Sequence, residues 1–241
     1  MLREASSVFS FLTILPSPGG TPENTAKYMW LFPIAGAAIG LLVGSMGLAL
    51  SGFVDPLLVS LLVVVSLAIV TGIHHTDGLA DFADGLMAKG SKDQKIGAMK
   101  DVSTGTAGTV GIVLYLVGLV VVVSLTGGLD LLRAVLISEI LAKFSMVLLA
   151  SLGSSAAVGS NSPFVHMMRD RRRLAAAFVI MIIPVALIGE TAGLVMLGAT
   201  ITLTLFMLAV STRSFGGITG DVMGATNELA RLVSLAVFVT I

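Results

Sequence analysis

The sequence predicts an all-α polytopic membrane protein, and three observations carry that reading. The 14 basic and 14 acidic residues make up only 12% of the 241-residue chain, against roughly 25% in an ordinary soluble domain. The hydrophobic fraction is 56% and the mean hydropathy is +1.02, more apolar surface than a soluble fold of this size can hide. Six apolar stretches are long enough, or nearly so, to cross a hydrocarbon core, which takes roughly 20 helical residues. A soluble globular enzyme, a disordered chain and a nucleic-acid binder are thereby excluded. Cysteine is absent, which excludes disulfides, a thiolate metal site and a cysteine nucleophile.

The start of the chain, from Leu2 to Leu15, is apolar with a single Arg3/Glu4 pair and reads as an interfacial helix. Spans follow near 28–50, 57–75, 108–126, 131–152, 174–189 and 191–212, with a short seventh segment at 229–241 that ends inside the bilayer or crosses half of it. The count is therefore six to seven. These runs are rich in Val and Ile, but an open sheet edge cannot exist in lipid, so they are helices. The connections alternate in charge. Asp55, Asp130 and Glu190 mark one side; Lys89, Lys92, Lys95 and Lys100, then Arg169 and Arg171 to Arg173, then Arg213 mark the other. The positive-inside rule places the N-terminus and the three basic loops in the cytoplasm.

Those loops hold nearly all the residues capable of chemistry. In His74-His75-Thr76-Asp77-Gly78-Leu79-Ala80-Asp81-Phe82-Ala83-Asp84-Gly85, the acids are four and then three residues apart. On a helix this puts Asp77, Asp81 and Asp84 on one face. Three like charges repel, and a divalent cation removes that penalty. Carboxylate oxygens suit Mg²⁺, Mn²⁺ or Ca²⁺. His74 falls near the acidic face and His75 away from it. A short amphipathic helix is expected over Ser91–Asp101, its lysines on the membrane surface or turned to a phosphorylated substrate. Gly105-Thr106-Ala107-Gly108 then opens the next span, and its N–H groups suit an anion or simply a close helix crossing.

A second glycine-acid motif, Arg213-Ser214-Phe215-Gly216-Gly217-Ile218-Thr219-Gly220-Asp221, reads as a phosphate and metal cradle, with Asp221 as a fourth carboxylate from another helix. Inside the fourth span, Glu139 and Lys143 share a face. They read as a mutually neutralising pair, with a substrate-facing Lys143 as the alternative. Arg133 snorkels at the outer end, and the 169–173 arginine run anchors topology on anionic lipid.

HHTDGLADFADGL, then MKD with GTAG, then RSFGGITGDVMGA, resemble the cobalamin-5′-phosphate synthase family of adenosylcobinamide-GDP ribazoletransferases. FLTILPSP and WLFPIAGAAIGLL fit the same family, and the resemblance runs over nearly the whole chain in order. It implies one membrane-embedded transferase domain over residues 1–241, in the cell membrane with its active site on the cytoplasmic side. The implied reaction is Mg²⁺-dependent: α-ribazole, free or 5′-phosphorylated, displaces GMP from adenosylcobinamide-GDP to form adenosylcobalamin or its 5′-phosphate. The resemblance puts metal and catalytic duty on Asp77, Asp81 and Asp84, with Asp221 joining as a metal ligand. Asp84 or His75 assists deprotonation of the ribose 5′-hydroxyl. Lys100, Asp101, Lys143, Arg213, Gly216, Gly217 and Gly220 are the substrate contacts. The implied partners are the two substrates and the bilayer, with no nucleic acid; a homo-oligomer and association with other late enzymes of the pathway are carried as expectations. Two alternatives remain open at this point: a CDP-alcohol phosphatidyltransferase-like lipid enzyme, whose DG-x-x-AR motif has Asp81 where Arg should be, and a cation-coupled transporter, whose coupling acid would lie at mid-membrane.

Overall fold

The computed structural model describes residues 6–16, 21–156 and 161–241. Arg3 and Glu4 lie outside them, as do residues 157–160 of the loop after the fourth span. Among the described residues the chain is helical, with no strand beyond one isolated bridge between Ser155 and Ile218.

The chain enters through α1 (Ser7–Leu12) and α2 (Pro22–Lys27), the latter opened by Thr21, which accepts the Asn24 N–H, and by Pro22 in the first turn. Ile14 N–H bonds the Val70 carbonyl at 2.9 Å, which fixes this apolar entry against the end of the second span. A 3₁₀ turn at Met29–Leu31 leads into α3 (Phe32–Leu50). Gly36, Gly40, Gly44 and Gly47 line one side of α3 and meet α8 (Gly128–Leu152), the first two against its backbone and the last two against Leu132 and Leu131 side chains; a Cβ at Gly40 would stand 2.7 Å from Leu136 Cα. Small residues at such a crossing allow the close approach that replaces the hydrophobic effect in lipid. α8 is buried along most of its length and forms the centre of the bundle.

α4 (Pro56–Thr71) begins on Asp55, which accepts the Leu57 N–H, and stops at Gly72 and Ile73, both with positive φ. The chain then turns by 92° into α5 (His74–Met87), so the acidic helix runs nearly at right angles to α4 rather than continuing it. α6 (Lys92–Met99) carries a Ser91/Gln94 capping box, in agreement with the amphipathic helix read from sequence. α7 (Thr106–Ser124), α9 (Ser162–Met168), α10 (Arg171–Ile188), α11 (Glu190–Phe215) and α12 (Gly220–Phe238) complete the order.

Two expectations change. Among the described residues four helices are long and apolar enough to cross a membrane: the 3₁₀ turn with α3, α7, α8 and α11. The count becomes five if the bent α4–α5 pair is one span. The six to seven runs read from the sequence include two that form shorter or more polar helices. α10 has 18 residues and opens on Arg171, Arg172 and Arg173, and the second run is interrupted at Thr71. The short segment expected at 229–241 is instead the second half of α12, which starts at Gly220 and packs against α5, α8 and α11. Its polar residues Asn227, Glu228 and Arg231 hid it from a hydropathy reading, yet they are buried.

Their burial is possible because partners wait on α7 and α8. Arg231 bonds the carboxylates of both Glu139 and Glu228, and donates to the Tyr115 hydroxyl at 2.7 Å. Lys143 donates to Glu139 at 3.2 Å and to Asn227 at 2.9 Å, while Asn227 donates to Glu228 at 2.8 Å. Two cations and two anions thus form a neutral network in the core. Arg133, by contrast, is half-exposed beside Asp130 at 3.7 Å.

Candidate active site

The two glycine-acid motifs meet where α5 crosses the start of α12. A Cβ on Gly78 would lie 3.1 Å from both Cα and O of Asp221, and one on Gly224 would lie 3.2 Å from the His75 carbonyl. This glycine pair lets the backbones touch, and the contact brings Asp221 into the electrostatic range of Asp77 and Asp81. Gly224, four residues after Gly220, went unnoticed in the sequence; its small-xxx-small spacing was the available signal.

Asp77 is exposed and its side chain makes no hydrogen bond or ion pair among the described residues. Asp81 is half-buried, and burial, reinforced by the carboxylates of Asp77, Asp221 and Asp84, pushes its pKa up to about 6. Burial likewise raises Asp221, with Asp77 adding to it, against the Thr219 hydroxyl, which donates to Asp221 at 3.3 Å, and the charge of Lys100. The ionised Asp81 is thus less favourable in the folded protein than in the unfolded chain. It lowers stability at pH 7.5, and this cost fades as pH falls from the folded value of about 6 towards the unfolded value of 3.8, vanishing only below it, where the carboxyl is neutral in both states. Asp81→Asn should therefore raise the melting temperature of metal-free protein at pH 7.5, with a gain that shrinks towards pH 4. An equal gain at both pH values would show that the carboxyl is not shifted.

Asp84 has another task. Its two oxygens accept the N–H groups of Gly105 and Gly108 at 2.7 and 2.8 Å, so it caps the N-terminus of α7 from a neighbouring helix. The GTAG segment, read as an anion site or a close crossing, holds this protein carboxylate, and the crossing is close: Cβ atoms at Gly105 and Gly108 would each stand 2.5 Å from an Asp84 oxygen. Asp84 therefore positions α5 against α7 with both oxygens engaged.

His75 lies on the Gly78 face of α5, away from the acids as the spacing predicts, and is 6% exposed. Burial, with Lys143 and Arg231 nearby, holds its pKa well below the ordinary value, so the ring is neutral at pH 7. Its Nδ1 has no hydrogen-bond partner among the described residues.

The second motif is pinned rather than mobile. Gly216 closes α11 with φ +85°. Ile218 N–H donates to the Ser154 carbonyl at 2.8 Å, and its own carbonyl accepts from Ala156 N–H and from the Asn161 side chain. A Cβ on Gly217 would strike Ser155 and Ala156. Gly216 and Gly217 thus serve the backbone path, while Gly220 and Asp221 reach the site. Thr219 caps α12 by accepting the Val222 N–H. Arg213 and Lys100 are exposed, as is Asp101, which accepts the Ser103 N–H at 2.9 Å; of the three, Lys100 lies near enough to Asp221 for its charge to act there. Lys143 is fully buried in the core network, where the neutralising reading had put it, and does not line the cavity beside the site. The substrate-facing alternative for Lys143 is corrected accordingly.

That cavity, about 380 Å³, opens beside Asp221, His75 and Gly78. No three His, Asp or Glu side chains converge into a ready coordination shell among the described residues. Glu139, the mid-span acid that a coupling carboxylate would require, is held by Arg231 and Lys143.

A family model described as cobalamin-5-phosphate synthase matches residues 4–239. The chain belongs to this family. Among its relatives is a Methanocella arvoryzae protein named adenosylcobinamide-GDP ribazoletransferase, 32% identical, the match covering 98% of this chain and 95% of the relative. Proteins of the same name from Archaeoglobus fulgidus (34% identical; 98% and 96% covered) and Geotalea daltonii (33% identical; 100% and 98% covered) are similar to it as well. No solved structure matches. In this cobalamin-5-phosphate synthase family member, the conjunction of Asp77 and Asp81 with Asp221 is the feature on which chemistry can be built.

Proposed function

We propose that the chain is an adenosylcobinamide-GDP ribazoletransferase that uses Mg²⁺. One observation carries the reading: in a chain of this family, the Gly78–Gly224 crossing joins the acids of the first motif to Asp221 of the second. The attacking group is a ribose hydroxyl of α-ribazole or its 5′-phosphate. An oxygen–phosphorus bond forms at the phosphorus bearing the cobinamide, the bond to the bridging oxygen breaks, and its electron pair leaves on GMP. Where the acceptor is the 5′-phosphate its 5′-oxygen is already esterified, so the attacking oxygen belongs to a secondary hydroxyl of the ribose ring. The 5′-oxygen expected from the sequence is not available in that substrate.

The donor set suits a hard cation: hard carboxylate oxygens, and Asp81 raised by burial and then by its like-charged neighbours. Asp77, Asp81 and Asp221 would hold Mg²⁺, which supplies neutralisation of charge on the pyrophosphate. Few protein ligands are needed, because Mg²⁺ keeps several waters. His75, neutral and beside the cavity, accepts the hydroxyl proton; Asp84 keeps α5 in register against α7. The exposed Lys100 and Arg213 bind the phosphates of the donor. The basic segments 89–100 and 169–173, with Arg213, support a cytoplasmic position for this face, on the cell membrane, by the positive-inside rule.

The test is incubation of the purified protein with adenosylcobinamide-GDP, α-ribazole and Mg²⁺. GMP should appear in step with a cobalamin product and should stop on chelation with EDTA. Release of GMP unaffected by EDTA would remove the metal from the proposal; no GMP at all would remove the reaction.

A further inference from the structure

The two substrates differ greatly in size, and the cavity beside Asp221 discriminates between them. At about 380 Å³ it lies at the small end of ligand pockets, roughly 300–1,000 Å³. A nucleoside fits; a corrinoid macrocycle with its nucleotide tail, several times larger, does not. The lining is divided in character. One group of its lining residues is aromatic, Phe11 of α1 and Phe164 of α9; another is polar, His75 and Asp221, held together by the Gly78–Gly224 crossing.

The aromatic group is built. The Phe11 and Phe164 rings lie 5.2 Å apart at 37°, and Phe32 backs both at 6.1 and 6.3 Å. Phe32 and Phe164 are buried, whereas Phe11 remains 38% exposed, so one ring of the three still offers a face. In the polar group, His75 Nδ1 is buried and unpartnered among the described residues, although buried polar atoms in folded proteins are ordinarily paired. A ligand with a flat apolar ring at one end and hydroxyls at the other satisfies both groups.

We propose that this cavity is the acceptor subsite. The aromatic base of the ribazole lies against Phe11 and Phe164, and its ribose hydroxyls reach His75 and Asp221. The donor then lies outside, over the exposed face with Asp77, Lys100 and Arg213. This assignment rests on the transferase reading above and adds to it α1, a helix that the acid motifs do not include. Base recognition by ring stacking sets the ligand class: a nucleoside whose base is flat and apolar.

Phe11→Ala tests it, because Phe11 is partly exposed on a short entry helix and its loss leaves the bundle core intact. The KM for α-ribazole should rise by roughly 5- to 100-fold, the range for loss of one base-stacking ring, with the KM for adenosylcobinamide-GDP changed by less than about twofold. Phe11→Trp, which keeps an aromatic face, should retain acceptor binding. Phe164→Leu provides a second variant that keeps a buried apolar side chain, with the same split in KM expected. Equilibrium dialysis of radiolabelled α-ribazole against wild type and Phe11→Ala in EDTA reads binding without turnover. Unchanged acceptor affinity in both aromatic variants, or a rise confined to the donor KM, overturns the proposal while leaving the transferase reading intact. Binding of α-ribazole that is weakened by Phe11→Ala in a protein releasing no GMP would support the subsite and refute the reaction.

Discussion

Asp77→Asn should lower kcat by about 10²–10³-fold, the range seen when one preorganised electrostatic group is removed from a site, and should leave the fold intact. The two halves of that expectation have separate causes. Asp77 is exposed and forms no side-chain bond within the described protein, so nothing in the bundle depends on its charge. Its neighbours do: it stands among the carboxylates that raise Asp81 and Asp221, which is the arrangement a cation would relieve. The Mg²⁺ concentration for half-maximal rate should rise along with the loss of kcat. Asp84→Asn is the informative contrast. There the change falls on a side chain whose two oxygens hold N–H groups of α7, so activity and melting temperature should fall together. Melting curves in detergent, measured beside GMP release, separate the two. Normal turnover by Asp77→Asn at saturating Mg²⁺ would remove it from the metal site.

Arg231→Met should destabilise the protein by about 3–5 kcal/mol, the usual cost of stranding a buried charge. Arg231 is 2% exposed and neutralises parts of Glu139 and Glu228. Its loss leaves two carboxylates and a single cation, Lys143, in the centre of the bundle. Replacing Glu139 by Gln in the same chain restores the balance of charge, so the double variant should recover part of the loss. Unfolding in detergent, followed by helical circular dichroism, gives both values. A single variant as stable as wild type would show that the network is not a structural element. The rigid coupling of α7, α8 and α12 through this network also sets where α12, and with it Asp221, meets α5.

The sequence and the structure agree where local periodicity carries the information. The i, i+4, i+7 acids of α5, the short amphipathic helix expected within Ser91–Asp101 and the Glu139–Lys143 pair follow from spacing alone. What escaped depends on partners distant in the chain. The GTAG segment has the same composition whether it receives a phosphate or Asp84, and only the contact of α5 with α7 decides between them. α12 looked short because Asn227, Glu228 and Arg231 interrupt its hydropathy. Their matching charges lie on α8, around Glu139, about ninety residues earlier. Phe11 and Phe164 are ordinary apolar residues until folding sets their rings 5.2 Å apart.

The sharp turn at Gly72 and Ile73 has a geometric consequence for the chemistry. An upright helix advances about 1.5 Å per residue along the membrane normal, which would stagger Asp77 and Asp84 by roughly 10 Å in depth, from water into lipid. With α4 upright, a helix turned 92° from it runs along the interface instead. The acidic row then occupies a single level.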